Sequence, residues 1–165
     1  MANKYKKNKI LTALLVILLF LIFMFFVWRW ENSLLGVENQ KENFQNSFTE
    51  LLFDNGATIR LEIADSPELR ARGLSGREGL NENTGLFFIF DEPGWHGIWM
   101  KEMNFPIDIV WLDEELKIIN SSRSVSPDTY PQVFYPSSPA LYVLEVNAGF
   151  LGKNRIKDGE TVQLN

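Results

Sequence analysis

Arg70 to Asp113 reads RARGLSGREGLNENTGLFFIFDEPGWHGIWMKEMNFPIDIVWLD. Inside it, residues 85–90 (GLFFIF) form a short apolar run of β-formers, and residues 91–94 (DEPG) carry a turn signal. Residues 97–100 and 107–113 read as two more strands on either side of KEMNFP. The only histidine, three arginines and one aspartate within an apolar run share this stretch. Short, frequent strands broken by turns predict a mainly β domain.

The flanks extend the same pattern. Upstream, Asp54-Asn55-Gly56 separates two apolar-rich runs in residues 47–64, and Thr58, Arg60 and Glu62 alternate with Ile59, Leu61 and Ile63. That is a β-hairpin with a half-buried second strand. Ser66 suits an N-cap, Pro67 the first helical position and Glu68 the positive end of the helix dipole, with Gly73 closing a helix of about two turns. Leu69 and Leu74 can share its core side, while Arg70 and Arg72 point to different faces. Downstream, residues 116–120, 140–147 and 161–164 read as strands, and residues 148–154 as one helical turn. The four prolines of residues 127–139 predict a long loop without regular structure. No β-α-β alternation is visible. The expected class is mainly β: a compact small β-barrel or sandwich with one or two short helices, preceded by a single transmembrane helix.

That transmembrane expectation rests on residues 10–27, an apolar run without a charge, closed by Trp28, Arg29 and Trp30. It is longer than a signal-peptide core, and the residues after it are large, so an uncleaved anchor is preferred over a cleaved leader. The organisation expected is a basic cytoplasmic flank (1–9), a transmembrane anchor (10–30), a polar linker (31–45) and an extracytoplasmic domain (46–165).

The formal net charge of −5 conceals an asymmetry. The first 29 residues hold five basic side chains and no acid, leaving 11 basic against 21 acidic in the rest, a net of −10. So acidic a domain is a poor nucleic-acid binder, because phosphate contacts need clustered Lys and Arg. The absence of cysteine excludes disulfides, zinc–thiolate sites and thiol catalysis.

RARGLSGREGL, GLFFIFDEPG, IWMKEMNFPIDIVWLD and YVLEVNAGF, followed by a late Asp-Gly turn, occur in the order and spacing of a known family. Over residues 48–165 the chain resembles the domain of unknown function 192 family. The resemblance implies a compact, mainly β domain, often exported or membrane-tethered, with no established activity. Family members typically carry methionine where Ser75 stands, and often Asn-Thr where this chain has Glu102 and Met103.

Two carboxylates sit in apolar strands: Asp108, with Val110 and Leu112 on its face, and Glu145, with Val143 and Leu141 on its own. Arg72, Arg77 and Lys101 are the natural counter-charges. One reading is structural, with Arg72 or Arg77 paired to Asp108 or Glu145 inside the fold. The other makes these groups the lining of a ligand pocket. Trp95, Trp99, Trp111, Phe105, Tyr130, Phe134 and Tyr135 can form either core or an aromatic platform; Trp95, in a Gly-Trp-His-Gly turn, is expected to be exposed and at least one of Trp99 and Trp111 buried. His96 has no partner motif and reads as a surface turn residue. No metal-ligand spacing occurs and no cofactor is called for. The preferred function is a ligand-binding or interaction module, for a small molecule, glycan or protein, bound by Arg72, Arg77, Trp95, Trp99, Lys101, Asp108 and Glu145. The alternatives are an acid/base enzyme using Asp108 or Glu145, and a structural component of a membrane complex.

Overall fold

The structure is a computed structural model that describes residues 19–30 and 50–165. The chain divides into two units, Met1–Asn46 and Ser47–Asn165. In the first, residues 19–30 are helical (α1). Residues 1–18 and the expected linker 31–45 lie outside the described residues, so only part of the expected anchor can be placed. Among the described residues no helix is long and apolar enough to cross a membrane.

The second unit is mainly β, a sheet curled into a half-barrel with few short helices. Its elements are β1 (Glu50–Phe53), β2 (Thr58–Ala64), α2 (Pro67–Arg72), β3 (Thr84–Gly94), β4 (Ile98–Trp99), β5 (Ile107–Leu112), β6 (Ile118–Val125), β7 (Val133–Phe134), β8 (Ala140–Asn147), α3 (Phe150–Lys153) and β9 (Val162–Leu164). Seven strands form one sheet in the order β6-β5-β8-β3-β2-β1-β9, and β4 pairs with β7 in a separate ribbon. The two ends of the sheet meet: Ile118 donates its N–H to the carbonyl of Glu160 at 2.8 Å, and Val162 donates to Leu116 at 3.0 Å.

The expected hairpin is β1–β2, turning at Asn55, whose Oδ1 accepts the N–H of Ala57 at 2.8 Å. Helix α2 also starts as expected, with Ser66 Oγ accepting from Leu69 N at 3.2 Å and Pro67 in the first turn. Gly73 ends it at φ 52°, a conformation glycine adopts without Cβ strain. Three expectations need correction. The chain does contain a β-α-β unit, because β2 and β3 are adjacent and parallel, with α2 in the crossover. The caps mark the helix, but nothing local says that β2 and β3 are neighbours in the sheet and run parallel. Residues 91–94 are not a free turn; β3 continues to Gly94 through a register shift, and Pro93 is tolerated there because an irregular strand need not use every N–H. The proline-rich loop contains regular pieces, a 3-10 turn at Pro127–Thr129 and strand β7.

Both faces of the sheet are packed. Leu51, Ile59, Phe87, Val110, Leu144 and Val162 belong to the cluster on one face, which draws on all seven strands and so fills the inside of the curl. Leu86, Phe88, Ile109, Trp111 and Val143 lie on the other, covered by Leu69, Leu74, Ile98 and Phe134 from α2, its following turn and the ribbon. Every residue of β5 is buried as a result.

Asp108 is therefore fully buried in the inner face. Its Oδ1 accepts the N–H of Ser124 at 2.7 Å and its Oδ2 the N–H of Leu151 at 3.0 Å. Ser124 sits where the β5–β6 register slips and carries φ 49°, so its N–H has left the ladder. Leu151 lies in the first turn of α3, whose N-cap, Gly149, offers no side chain. Asp108 thus satisfies one donor orphaned by a bulge and one orphaned by a helix start. The expected arginine pairing of Asp108 does not occur, because two amides already fill its oxygens.

Asp108→Ala strands both N–H groups in an apolar interior and should destabilise the domain by about 2–5 kcal/mol. Urea unfolding of the full chain measures this; an unchanged midpoint would show that the two bonds contribute nothing net.

Candidate functional site

The outer face of the sheet is not completely covered. Between α2 and the β4–β7 ribbon a cleft of about 320 Å³ reaches down to the sheet. Arg70, Arg72, Leu74 and Ser75 form one wall, from α2 and the turn after it. Ile98 and Trp99 form the other, and Met103 closes one side. The floor is Phe88 and Phe90 from β3 with Glu145 from β8.

Glu145 is 5% exposed. In the sheet it lies between Leu86 of β3 and Ile109 of β5. Among the described residues it makes no ion pair. Burial among these apolar neighbours pushes its carboxyl up from 4.5 to about 8, and the nearby Arg77 guanidinium only partly opposes this. Glu145 is therefore protonated at neutral pH, a neutral donor and acceptor at the bottom of the cleft.

Arg77 is committed elsewhere. Its Nη1 donates to Glu62 Oε2 at 2.8 Å. Glu62 of β2 pairs in register with Leu86, which pairs with Glu145, so both glutamates lie on one face, ~10 Å apart by two strand spacings. The expected pairing of Arg72 or Arg77 with Asp108 or Glu145 is corrected by this geometry. Glu62, which alternation alone places on a polar strand face, takes the arginine.

The two arginines of α2 differ sharply. Arg70 is held inward: it donates to the carbonyls of Asp65 and, at 2.8 Å, Ile89, approaches Asp91 at 3.6 Å, and lies 5.2 Å over the Phe90 ring. Arg72 is exposed and has no ion pair among the described residues.

The aromatic residues separate as follows. Trp111 is fully buried, its indole N–H donating to the carbonyl of His96 at 2.8 Å. Phe105 and Phe134 pack into the outer cluster. Trp95, Trp99, Tyr130 and Tyr135 remain exposed. Trp99 contacts Tyr130, with ring centres 5.9 Å apart, and Lys101 Nζ stands 5.9 Å over the Trp99 ring. His96 stacks on Phe90 and places Nε2 3.1 Å from the carbonyl of Glu92. Gly97 cannot carry a side chain, since a Cβ there would lie 2.6 Å from both Tyr135 and Val133.

Of the seven site residues expected from sequence, Arg72, Trp99 and Glu145 line one cleft. Arg77 stands behind it with Glu62, and Lys101 stands over Trp99. Trp95 is on the surface and Asp108 on the opposite face of the sheet. Sequence reasoning missed Phe88 and Phe90, although alternation with Leu86 would have put them on Glu145's face. It also missed Arg70, Ser75 and Met103, whose approach depends on tertiary packing. A second hollow of about 410 Å³, bounded by Asn83, Thr84, Asn147 and Lys153, is larger but has no free buried charge. Asn147 there spends its Nδ2 on the carbonyls of Leu80 and Asn81.

Glu145 keeps its proton to about pH 8 when folded and to about 4.5 when unfolded. The folded state thus binds more protons between these values, and stability falls as pH rises through that window. Glu145→Gln, which cannot ionise, should match the parent near pH 4 and exceed it by a few kcal/mol at pH 9. Denaturant midpoints across this range check it; parallel pH profiles for the two proteins would refute the buried proton.

Comparison with known structures agrees with this fold. A proposed transcription regulator from Sinorhizobium meliloti 1021 is 26% identical, with a TM-score of 0.64 over 70% of this chain and 90% of its own. A protein of unknown function from Novosphingobium aromaticivorans DSM 12444 is also 26% identical, with a TM-score of 0.64 over 69% of this chain and 81% of its own. Among curated proteins none matches. Residues 50–164 match the model of a family described as an uncharacterized ACR, and the chain belongs to that family, DUF192.

Proposed function

We propose that the chain is a ligand-binding module, held at a membrane by residues 10–30 with its domain outside the cytoplasm. The observation that carries the binding reading is Glu145: a buried carboxyl without an ion-pair partner, facing a cleft. Most buried polar groups that serve the fold alone are satisfied within it, as Asp108 is. One left open to a cavity is satisfied by what enters. The acid/base alternative loses Asp108, whose oxygens are occupied and inaccessible, and keeps Glu145 alone.

The membrane reading is supported by sequence: an uncharged apolar run, a basic flank before it and Trp28-Arg29-Trp30 after it. Every large apolar side chain from Leu19 to Phe26 is also exposed on α1. The description of the Sinorhizobium relative raises nucleic-acid binding, but a net charge of −10 beyond residue 29 argues against it for this chain.

Because the chain has no cysteine, topology can be mapped with single introduced thiols. In intact cells a membrane-impermeant maleimide should label Ser138→Cys and spare Asn3→Cys; the reverse pattern would overturn the orientation. For binding, thermal-shift screening of the full chain against glycans, peptides and small metabolites should yield a stabilising ligand. Its effect should vanish in Ala71→Trp, which fills the cleft wall. A shift unchanged in that variant would place the ligand elsewhere.

A further inference from the structure

The charges around the cleft define what it can hold, given the binding reading above. Among the described residues three charged side chains line it, Arg70, Arg72 and Glu145. Arg70 is spent on two carbonyls and Asp91, and its side chain is 15% exposed. Arg72 is exposed, without an ion pair among the described residues, in the last turn of α2. The groups facing Glu145 are Arg77 and, through it, Glu62, which neutralise each other at 2.8 Å. With Glu145 protonated, the lining is positive inside a domain that is otherwise strongly acidic.

A cationic ligand meets two guanidinium groups and no formed carboxylate. A polyphosphate needs several free cations, and among the described residues Arg72 is the one guanidinium lining the cleft without an ion pair. A large glycan exceeds a cavity of about 320 Å³ that is narrowed by Phe88, Phe90 and Trp99. What remains is one anionic group at the rim, a flat apolar body between aromatic walls and a neutral polar group at the floor.

We propose that the cleft binds a small ring-bearing monoanion, a carboxylate held by Arg72, its ring against Trp99 and Phe90, and a neutral oxygen at its far end hydrogen-bonded to Glu145. Arg suits the rim because its planar fork makes two parallel bonds to a carboxylate. The floor is selective for the polar end because an apolar ligand terminus would leave a buried carboxyl unpaired. Release is built into the same group. When Glu145 ionises it loses its donor and becomes a second negative charge facing the anion.

The probes are 4-hydroxyphenylacetate, phenylacetate, tyramine and 2-(4-hydroxyphenyl)ethanol, added to the full chain in detergent while tryptophan fluorescence is followed. Trp99→Phe identifies the part of the signal that comes from the cleft. 4-Hydroxyphenylacetate should bind, phenylacetate about tenfold more weakly, and tyramine not at all. Arg72→Gln should weaken the acid about tenfold or more and leave the neutral alcohol unaffected. Affinity for the acid should fall as pH rises through about 8, and Glu145→Gln should flatten that dependence. Tyramine or the alcohol binding better than the acid, with the signal lost in Trp99→Phe, overturns the anion assignment and keeps the cleft as a site. No response to any probe overturns the ring-bearing monoanion. If the wider ligand screen is then equally blind to Ala71→Trp, the cleft falls with it.

Discussion

Asp108 bonds strand β5 to the bulge in β6 and to the first turn of α3, at the two points where the backbone leaves an N–H without a ladder or helix partner. Its strand is buried on both faces, so a carboxylate there can persist only with full hydrogen bonding. It obtains this from Ser124 and Leu151 and thereby fixes the bulge in β6 and the start of α3. Leu151 and Ile156 then pack into the inner cluster, and the turn that follows carries the chain to β9. The bonds from Ile118 to Glu160 and from Val162 to Leu116 close the curl at that end. The opposite face of the sheet, where the cleft opens, is shaped by a sheet whose curvature this arrangement helps hold.

Much of this architecture was legible wherever the signal was local. The Asp54-Asn55-Gly56 turn, the Ser66 cap with Pro67, and the alternation in β2 each depend on a few neighbouring residues, and each structure formed as its residues dictate. What failed depended on partners far apart in sequence. Asp108 and Glu145 look alike in the chain, each a carboxylate in an apolar strand. Only the register distinguishes them: Glu145 stands opposite Ile109, one residue along β5 from Asp108, and so projects from the other face. A period-2 strand turns that single step into two different environments. The arginine expectation failed for a related reason. Electrostatics asks for a partner but does not say which, and Glu62 is the carboxylate that Arg77 reaches.

The cleft itself could be anticipated only in fragments. Arg72, Trp99 and Glu145 come from a helix, a ribbon and a central strand, and only the fold brings them to one cavity. Ser75 and Met103, two positions where this chain departs from the pattern of the family it resembles, both line that cavity. Those departures therefore change the lining of the cavity and leave the sheet untouched.

The contrast between the two carboxylates carries the functional argument one step further. A sheet position flanked by Leu86 and Ile109 would be more stable with an apolar side chain or a neutral amide. Glu145 instead raises the free energy of the folded state at alkaline pH and receives no compensating ion pair from the described residues. Asp108 shows that this same sheet can satisfy a buried carboxylate completely. Within the fold, then, Asp108 has a sufficient structural explanation and Glu145 has none. That contrast, a buried group that costs stability and faces an open cavity beside one that the fold satisfies completely, is what the binding proposal rests on.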